Sequence, residues 1–376
     1  MATQDFFREF SFPGQQDTAG FGLPSVASFP LGLHPREENS QASLADHIQA
    51  IETISKSGDF FKLVQQHGGA VLIRGLPIKT AQDYSQIAHA FGFSAHDEVG
   101  RPPLRTVLAL NIKTANEGPP EMPIWPHNEY GWSTVNPAWL TFSALVTPES
   151  GGETPITSSI KLAASVKQQA PEFFNTLLEK GVRYVYRYGA DDVRSSNTGA
   201  SVLSAYGAEV LPGDDAETVK QKVEHEVRRH SNRFEWHEDG SLSVTHVVPI
   251  IRIHTDTGLT TWFGNLTSAY GRSKHHGATE PPFLGNDGAH HPLPTYGDGS
   301  RIPTEYLELA LKLAESSQVS LSWQPGDVVL LDVGVIPHNQ FDLDDTDKFT
   351  ESCRDAFTFA LGGYEDSLGC TLGPGW

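Results

Sequence analysis

The sequence contains few of the residues that mark several common protein classes. Cys353 and Cys370 are its only cysteines, too few for a disulfide scaffold or a thiolate zinc site. Lys and Arg number 27 against 46 Asp and Glu, and the resulting net charge of -19 argues against a nucleic-acid surface. No apolar run has the length of a membrane span, and the N-terminus lacks the pattern of a signal peptide. These absences predict a soluble, cytoplasmic protein that binds neither nucleic acid nor membranes.

Glycine and proline, by contrast, are abundant. The 376 residues include 35 Gly and 25 Pro, which indicates a loop-rich globular protein rather than a helical bundle. Residues 1–40 hold several of these glycines and prolines and few periodic apolar positions, so we predict an extended N-terminal arm there. No internal repeat or interdomain linker follows. We therefore predict one domain over residues 41–376.

Apolar periodicity and turn residues predict helices and strands in alternation. A helical pattern covers residues 43–67 with a break at Gly58, and a short buried strand follows between Gly69 and Gly75. Thr80 with Asp83 is typical of a capping box that begins the next helix. A further helix is predicted over residues 161–180. Residues 268–300 are rich in Gly, His and Pro without periodicity, and we predict a long loop that contributes to a pocket wall.

His127 and Glu129 are the first candidate metal ligands. In an extended strand, residues two apart point to the same face, so an imidazole nitrogen and a carboxylate can bind one ion. The best candidate for a third ligand is His338, which ends an apolar, strand-like run beginning at Gly326. Two histidines and one carboxylate leave open coordination positions for a co-substrate and O2, the arrangement of non-heme Fe(II) oxygenases.

Other histidines compete with this set on spacing alone. His254 and Asp256 have the same separation as His127 and Glu129, but the segment around them has the pattern of a turn between strands. We therefore assign His254 and Asp256 to solvent or turn contacts. The pairs 275–276 and 290–291 lie in a polar segment, where surface positions are expected.

Several short motifs, in this order, resemble the taurine dioxygenase and clavaminate synthase-like family of Fe(II)- and 2-oxoglutarate-dependent oxygenases (TauD/TfdA-like). The motifs are His67-Gly-Gly-Ala-Val-Leu-Ile-Arg-Gly75, His127-Asn-Glu129, Gly151-Gly-Glu-Thr154, Arg252-Ile-His-Thr-Asp-Thr-Gly258, and Gly326-Asp327 leading to His338 and Arg354. They cover roughly residues 60–362. The resemblance implies a mixed α/β, mainly β protein with a double-stranded β-helix (jelly-roll) core and flanking helices. It also implies that His127, Glu129 and His338 bind Fe(II).

The same resemblance suggests which residues contact the co-substrate and the substrate. Arg354 is the candidate for the distal carboxylate of 2-oxoglutarate, because a guanidinium matches a carboxylate with two hydrogen bonds. Thr154 resembles the family threonine that donates a hydroxyl to this co-substrate, although an ordinary strand threonine is an equal alternative. Trp125, Tyr130 and Trp132 flank the ligand pair and are candidate substrate contacts, with a core role as the alternative.

The expected activity is the oxidation of a C–H bond of a small organic substrate by O2, with release of succinate and CO2. Hydroxylation, desaturation and cyclisation are all compatible with it. Two alternatives stay open: an iron oxidase that does not use 2-oxoglutarate, and a jelly-roll protein that binds a metal or ligand without turnover. No clear basic pair for a sulfonate is visible, which argues against taurine as the substrate. The oligomeric state is open, with a homo-oligomer as one option.

Overall fold

The computed structural model describes residues 2–100, 105–115, 123–147, 151–193 and 200–334, and the backbone of two later strands at 338–340 and 357–363. The helices of these residues are α1 (Ala2–Phe6), α2 (Leu44–Lys56), α3 (Asp59–Gln66), α4 (Ala81–Ala90), α5 (Ser159–Gln169), α6 (Pro171–Lys180), α7 (Val202–Tyr206), α8 (Ala216–Val227), α9 (Leu266–His275) and α10 (Thr304–Ser316). The strands are β1 (Phe7–Phe10), β2 (Gln16–Asp17), β3 (Ser28–Phe29), β4 (Leu31–Pro35), β5 (Ala70–Ile73), β6 (Ser94–Ala95), β7 (Val107–Ala109), β8 (Ile112–Thr114), β9 (Ile124–His127), β10 (Trp139–Ala144), β11 (Thr154–Ile156), β12 (Val182–Tyr188), β13 (Phe234–Trp236), β14 (Leu242–Val248), β15 (Ile251–Ile253), β16 (Thr260–Trp262), β17 (Thr295–Tyr296), β18 (Val319–Leu321), β19 (Val328–Asp332), β20 (His338–Gln340) and β21 (Phe357–Gly363).

The strands form several sheets. The main sheet has the order β1-β4-β5-β19-β10-β21-β8-β7, with β6 on β21. Its strands pair antiparallel except for β4 and β5. A second sheet has the order β18-β11-β20-β9, and a third has the order β13-β14-β12-β17. This confirms the predicted mixed α/β character.

Strand β19 shows why the main sheet lies inside the protein. All five of its residues are buried, and successive side chains of a strand point to opposite faces. Val328 and Leu330 pack in a cluster with residues of α2, α3 and α4, whereas Val329 and Leu331 pack in a larger cluster with residues of α5 and α6. The sheet is therefore covered on both faces, as its continuous apolar sequence requires.

Local signals in the sequence predict several elements correctly. Gly58, at a φ of 76°, separates α2 from α3, and Thr80 and Asp83 form the expected capping box of α4. Arg74 closes β5 and forms an ion pair with Asp327, whose side chain is fully buried, at 2.8 Å between Nη2 and Oδ2.

Three elements differ from the sequence-based prediction. The predicted helix 161–180 is two helices, α5 and α6, because Pro171 begins a new one. Residues 106–112 have the apolar sequence pattern of a single strand, but the chain turns at Asn111, which has a φ of 57°, and residues 107–114 form the hairpin of β7 and β8. Within the predicted loop 268–300, residues up to 275 belong to helix α9. Residues 266–273 of α9 are all buried, so the helix has no polar face and lacks the amphipathic pattern that prediction relies on.

The first forty residues are linked to the main sheet. Strands β1 and β4 pair with each other in antiparallel register, and β4 continues onto β5. The division into an arm and one domain stays a prediction. Among the described residues, no helix combines the length and the apolar character that crossing a membrane requires.

Candidate active site

His127 and Glu129 lie together where β9 ends. Nε2 of His127 is 3.7 Å from Oε2 of Glu129, and both side chains are largely shielded from solvent. Nδ1 of His127 is 2.9 Å from the carbonyl oxygen of Trp125, the position of a donated N–H bond. That bond leaves the Nε2 lone pair facing the carboxylate, which is the tautomer that a metal-ligating histidine needs.

The backbone of the third predicted ligand lies beside the first. Strand β20 runs between β11 and β9, and His338 pairs with His127 on one side and with Ile156 on the other. Directly opposed residues of neighbouring strands have Cα atoms about 4.5–5.5 Å apart. The fold thus brings two residues separated by more than two hundred positions to adjacent places in one sheet, which sequence alone could not establish.

Asn128, between the two candidate ligands, connects them to two distant segments. It is fully buried, and its side-chain Nδ2 donates to the carbonyl of Val333 at 2.8 Å. Its Oδ1 accepts from the backbone N–H of Gly264 at 2.9 Å. The residue between the two candidate ligands therefore connects β9 to the end of β19 and to the start of α9.

A cavity that opens to solvent surrounds the pair. Five of the residues singled out from the sequence line it: Trp125, His127, Glu129, Tyr130 and Trp132. Tyr130 and Trp132 are each only 5% exposed and also belong to the larger core cluster, so the pocket and core roles coincide. Sequence reasoning missed further lining residues from distant segments: Arg105, Ile124, Tyr186, Asn265, Ser268 and Arg272.

Two arginines are the most consequential of the missed residues. Arg105 and Arg272 both line the cavity, and both are largely buried. The expectation that no clear basic pair holds a sulfonate stays a prediction, although the wall contains two arginines from segments more than 160 residues apart. Among the described lining residues, two side chains are positively charged guanidinium groups and one, Glu129, is a negatively charged carboxylate. The wall is thus locally positive in a chain of net charge -19.

Arg105 also balances the charge of the Glu129 carboxylate. Its Nη2 lies 3.4 Å from Oε1 of Glu129, and its Nη1 lies 3.9 Å from Oε1 of Glu98. Oε1 of Glu129 thus contacts the arginine, while Oε2 faces His127. This division suits a carboxylate that binds a metal through one oxygen.

Tyr130 has a backbone conformation that aromatic residues rarely adopt. Its φ is 53°, in the left-handed region, which costs about 1–3 kcal/mol. Its hydroxyl donates to Oε1 of Glu98 at 3.0 Å. Burial, followed by the charge of Glu98, raises the pKa of Tyr130 well above its usual value, so the phenol stays protonated. The Tyr130 hydroxyl therefore stays a hydrogen-bond donor to Glu98, and this bond restrains the turn after Glu129.

The two residues predicted to bind 2-oxoglutarate have different outcomes. Thr154 begins β11, is 8% exposed, and its Oγ1 accepts from Nε1 of Trp323 at 2.9 Å. Among the described residues that line the cavity, Thr154 does not occur, but it lies two positions from Ile156, the strand partner of His338. Arg354 lies outside the described residues.

The competing histidines have more contacts than expected. His254 makes the predicted turn contact, with Nδ1 3.0 Å from the hydroxyl of Thr257, but its Nε2 also lies 3.0 Å from Oδ2 of Asp332. Burial lowers the pKa of His254, but the hydrogen bond and charge of Asp332 outweigh this, and the net direction is upward. His276 and His291, predicted to be at the surface, are 4% and 2% exposed. That prediction is wrong, because the loop after α9 folds back and covers both.

A His–Glu pair at a strand end that lines a cavity is typical of a metal-dependent enzyme. The model of the Taurine catabolism dioxygenase TauD, TfdA family matches residues 42–338. A clavaminate synthase-like protein of Arabidopsis thaliana is 31% identical over 294 residues, which cover 78% of this chain and 83% of the plant protein. The chain belongs to the TauD/TfdA family, and this membership supports an oxygenase enzyme.

The solved structures add a more distant likeness. A taurine dioxygenase from Burkholderia xenovorans is 14% identical, covers 96% of both chains and superposes with a TM-score of 0.46. Family membership rests on the family match and the plant relative.

Proposed function

We propose that this protein is an Fe(II)- and 2-oxoglutarate-dependent dioxygenase that oxidises a C–H bond of a small organic substrate. The observation that carries the proposal is the pair of His127 and Glu129, which face each other at 3.7 Å in a cavity while His338 is the strand partner of His127. Membership of the TauD/TfdA family supports it. The proposal includes a double-stranded β-helix core, since the family is expected to have one.

The donor set suits iron. One imidazole nitrogen and one carboxylate oxygen converge, and a second histidine on the neighbouring strand would complete a facial set of His127, Glu129 and His338. Bound Fe(II), with 2-oxoglutarate and O2, would supply the oxidising chemistry and release succinate and CO2. The Trp125 carbonyl fixes the ring of His127, and Arg105 restrains the outer oxygen of Glu129.

The electrostatics of the cavity suit an anionic co-substrate. The guanidinium groups of Arg105 and Arg272 outnumber the one carboxylate of the described lining, and a divalent cation would add further positive charge. We assign the distal carboxylate of 2-oxoglutarate to Arg354 and a hydroxyl contact to Thr154. Where such charge-assisted bonds are shielded from solvent, the weaker screening strengthens them.

The substrate would lie against the aromatic part of the same cavity. Trp125, Tyr130 and Trp132 present apolar ring surface beside the iron ligands. Such a wall can hold a C–H bond close to the metal and exclude water, which is the protein's share of the catalysis. Hydroxylation is the first expected outcome, and desaturation or cyclisation would follow from the same removal of hydrogen.

The test is an anaerobic titration of the apo-protein with Fe(II) and then 2-oxoglutarate, monitored for the weak visible charge-transfer band of the chelate. We expect the band in the wild type, its loss in His127→Ala and its weakening in Arg354→Ala. His225→Ala, which changes an exposed histidine of α8, is the matched control and should keep the band.

The contrary outcomes are distinct. Bound iron without a band on addition of 2-oxoglutarate would overturn the co-substrate assignment and favour the iron oxidase. If the folded protein does not bind Fe(II), the remaining hypothesis is a jelly-roll protein that binds another metal or a ligand without turnover.

A further inference from the structure

A second group of metal-binding side chains lies outside the cavity. His276 follows the last residue of α9, and Asp287 and His291 lie in the loop after it. Nε2 of His291 is 2.9 Å and 3.0 Å from the two oxygens of Asp287, and Nε2 of His276 is 3.5 Å from Oδ2 of the same carboxylate. One ligand atom from each residue lies within 4.8 Å of the others. The three side chains therefore converge on one point.

The distances between the candidate ligand atoms are close to those between the ligands of one bound metal ion. Zn2+ binds nitrogen and oxygen at about 2.0–2.2 Å, so two ligands of a tetrahedral site are about 3.3 Å apart. The two imidazole rings stack at 4.5 Å with an interplanar angle of 5°, which brings both rings to the same carboxylate. Only small shifts of the side chains would be needed to place an ion between them.

One nitrogen of the group points inward without a hydrogen bond. His276 is 4% exposed, and its Nε2 is buried and makes no hydrogen bond to any described residue. Its Nδ1 lies 2.8 Å from Oδ1 of Asn286, so the ring proton is on Nδ1 and the Nε2 lone pair faces Asp287. A buried acceptor that lacks a donor costs about 1–3 kcal/mol, and a metal ion would satisfy it. The bond to Asn286 is the outer-sphere contact that commonly orients a ligating histidine.

The backbone of the loop is shaped around these three side chains. A Cβ atom at Gly285 would lie 2.6 Å from Oδ1 of Asp287, 2.6 Å from Cδ2 of His291 and 2.9 Å from Cβ of His276. Any side chain at this position would therefore displace the group. The loop is also closed by backbone bonds from Asn286 to His276 and from His291 to Phe283. This arrangement holds the candidate ligands together before an ion binds.

From this geometry we propose that His276, Asp287 and His291 bind one divalent transition-metal ion, with Zn2+ the best match. Two neutral imidazoles and a carboxylate are ligands that Zn2+ favours, and water would complete a tetrahedral site. The role is structural. The ion would fix the loop to the C-terminal end of α9, the helix that supplies Ser268 and Arg272 to the cavity wall.

The test is a Zn2+ titration by isothermal calorimetry on chelator-treated protein without a polyhistidine tag. Because His127 and Glu129 also bind divalent ions under the proposed function, the double variant His127→Ala/Glu129→Ala is the background. We expect about two equivalents of Zn2+ in the wild type and one in this background. Adding His276→Ala or His291→Ala should abolish the remaining equivalent. His290→Ala, next to His291 but outside the group, should keep it.

Two further measurements keep the result decisive if a ligand variant folds poorly. Asp287→Asn preserves the shape of the side chain and removes its charge, and we expect at least a tenfold loss of Zn2+ affinity with an unchanged far-UV circular dichroism spectrum. Co2+ in the background protein should give the intense visible bands of a tetrahedral site. Absence of any bound Zn2+ in the folded background protein, or an equivalent that survives His276→Ala, would overturn the proposal.

Discussion

Replacement of Asn128 by alanine tests whether the two candidate iron ligands depend on the buried residue between them. The substitution removes the partner of the Val333 carbonyl and of the Gly264 N–H. Each buried backbone group left without a partner costs about 1–3 kcal/mol, so the expected loss is roughly 2–6 kcal/mol. A typical domain has about 5–15 kcal/mol of stability, so the variant should still fold if the loss is near 2 kcal/mol, and its far-UV circular dichroism spectrum is checked first.

Urea unfolding monitored by far-UV circular dichroism measures this loss. The matched control is Asn136→Ala in the same segment, whose side chain donates to the adjacent Pro137 carbonyl at 3.2 Å. We expect it to change the unfolding free energy by no more than about 0.5 kcal/mol. Fe(II) affinity should fall about 10- to 100-fold in Asn128→Ala, as for other residues that orient metal ligands, and stay unchanged in the control. A stability loss below about 1 kcal/mol with wild-type iron affinity would refute the reasoning.

Three further substitutions test the surroundings of the site. Gly271→Ala in α9 should destabilise the protein, against the gain of about 1 kcal/mol expected from helix propensity, because the new Cβ would lie 2.4 Å from the ring of Trp125. A rise in thermal midpoint with unchanged tryptophan fluorescence would contradict this. Burial, and then the charge of Arg229, lowers the pKa of His230 to about 4, whereas the unfolded residue titrates near the ordinary value of 6.5. Between these values the unfolded chain binds more protons, so stability falls as the pH falls from 6.5 to 4, by up to about 3 kcal/mol from this residue. In urea unfolding at several pH values, His230→Gln should lose stability less steeply, and parallel slopes would disprove the assignment. Arg105→Gln removes the charge that faces Glu129, and we expect weaker binding of 2-oxoglutarate to the iron-loaded protein. Equilibrium titration of the visible band would measure this affinity. An unchanged affinity would argue against an electrostatic role of Arg105.

Local chemistry made much of the architecture predictable. A left-handed glycine between α2 and α3 and a capping box at α4 are each determined by neighbouring residues. Strand β19 was equally readable, because a sheet covered on both faces requires a continuous apolar run. The His-x-Glu pair belongs to this group, since its two residues are only two positions apart, at the end of β9 and in the turn that follows.

The parts that sequence reasoning missed depend on tertiary contacts. Residues 266–273 of helix α9 are all buried, so this stretch has no solvent-facing side and no amphipathic period. Arg272 reaches the cavity on α9, which packs against β9, whereas Arg105 comes from the segment before β7, and no spacing rule connects the two. His276 and His291 were expected at the surface because their segment is polar, yet the loop buries both of them. The burial of α9, the position of the two arginines and the burial of the two histidines all depend on how the folded chain packs.

The central claim, that His127, Glu129 and His338 form the iron centre, is tested most directly by anomalous diffraction at the iron edge. Crystals would be grown anaerobically with Fe(II) and 2-oxoglutarate. We predict a strong peak within coordination distance of Nε2 of His127, a carboxylate oxygen of Glu129 and the imidazole of His338. The main iron peak at the His276 group, or density at the cavity without these three ligands around it, would contradict the account.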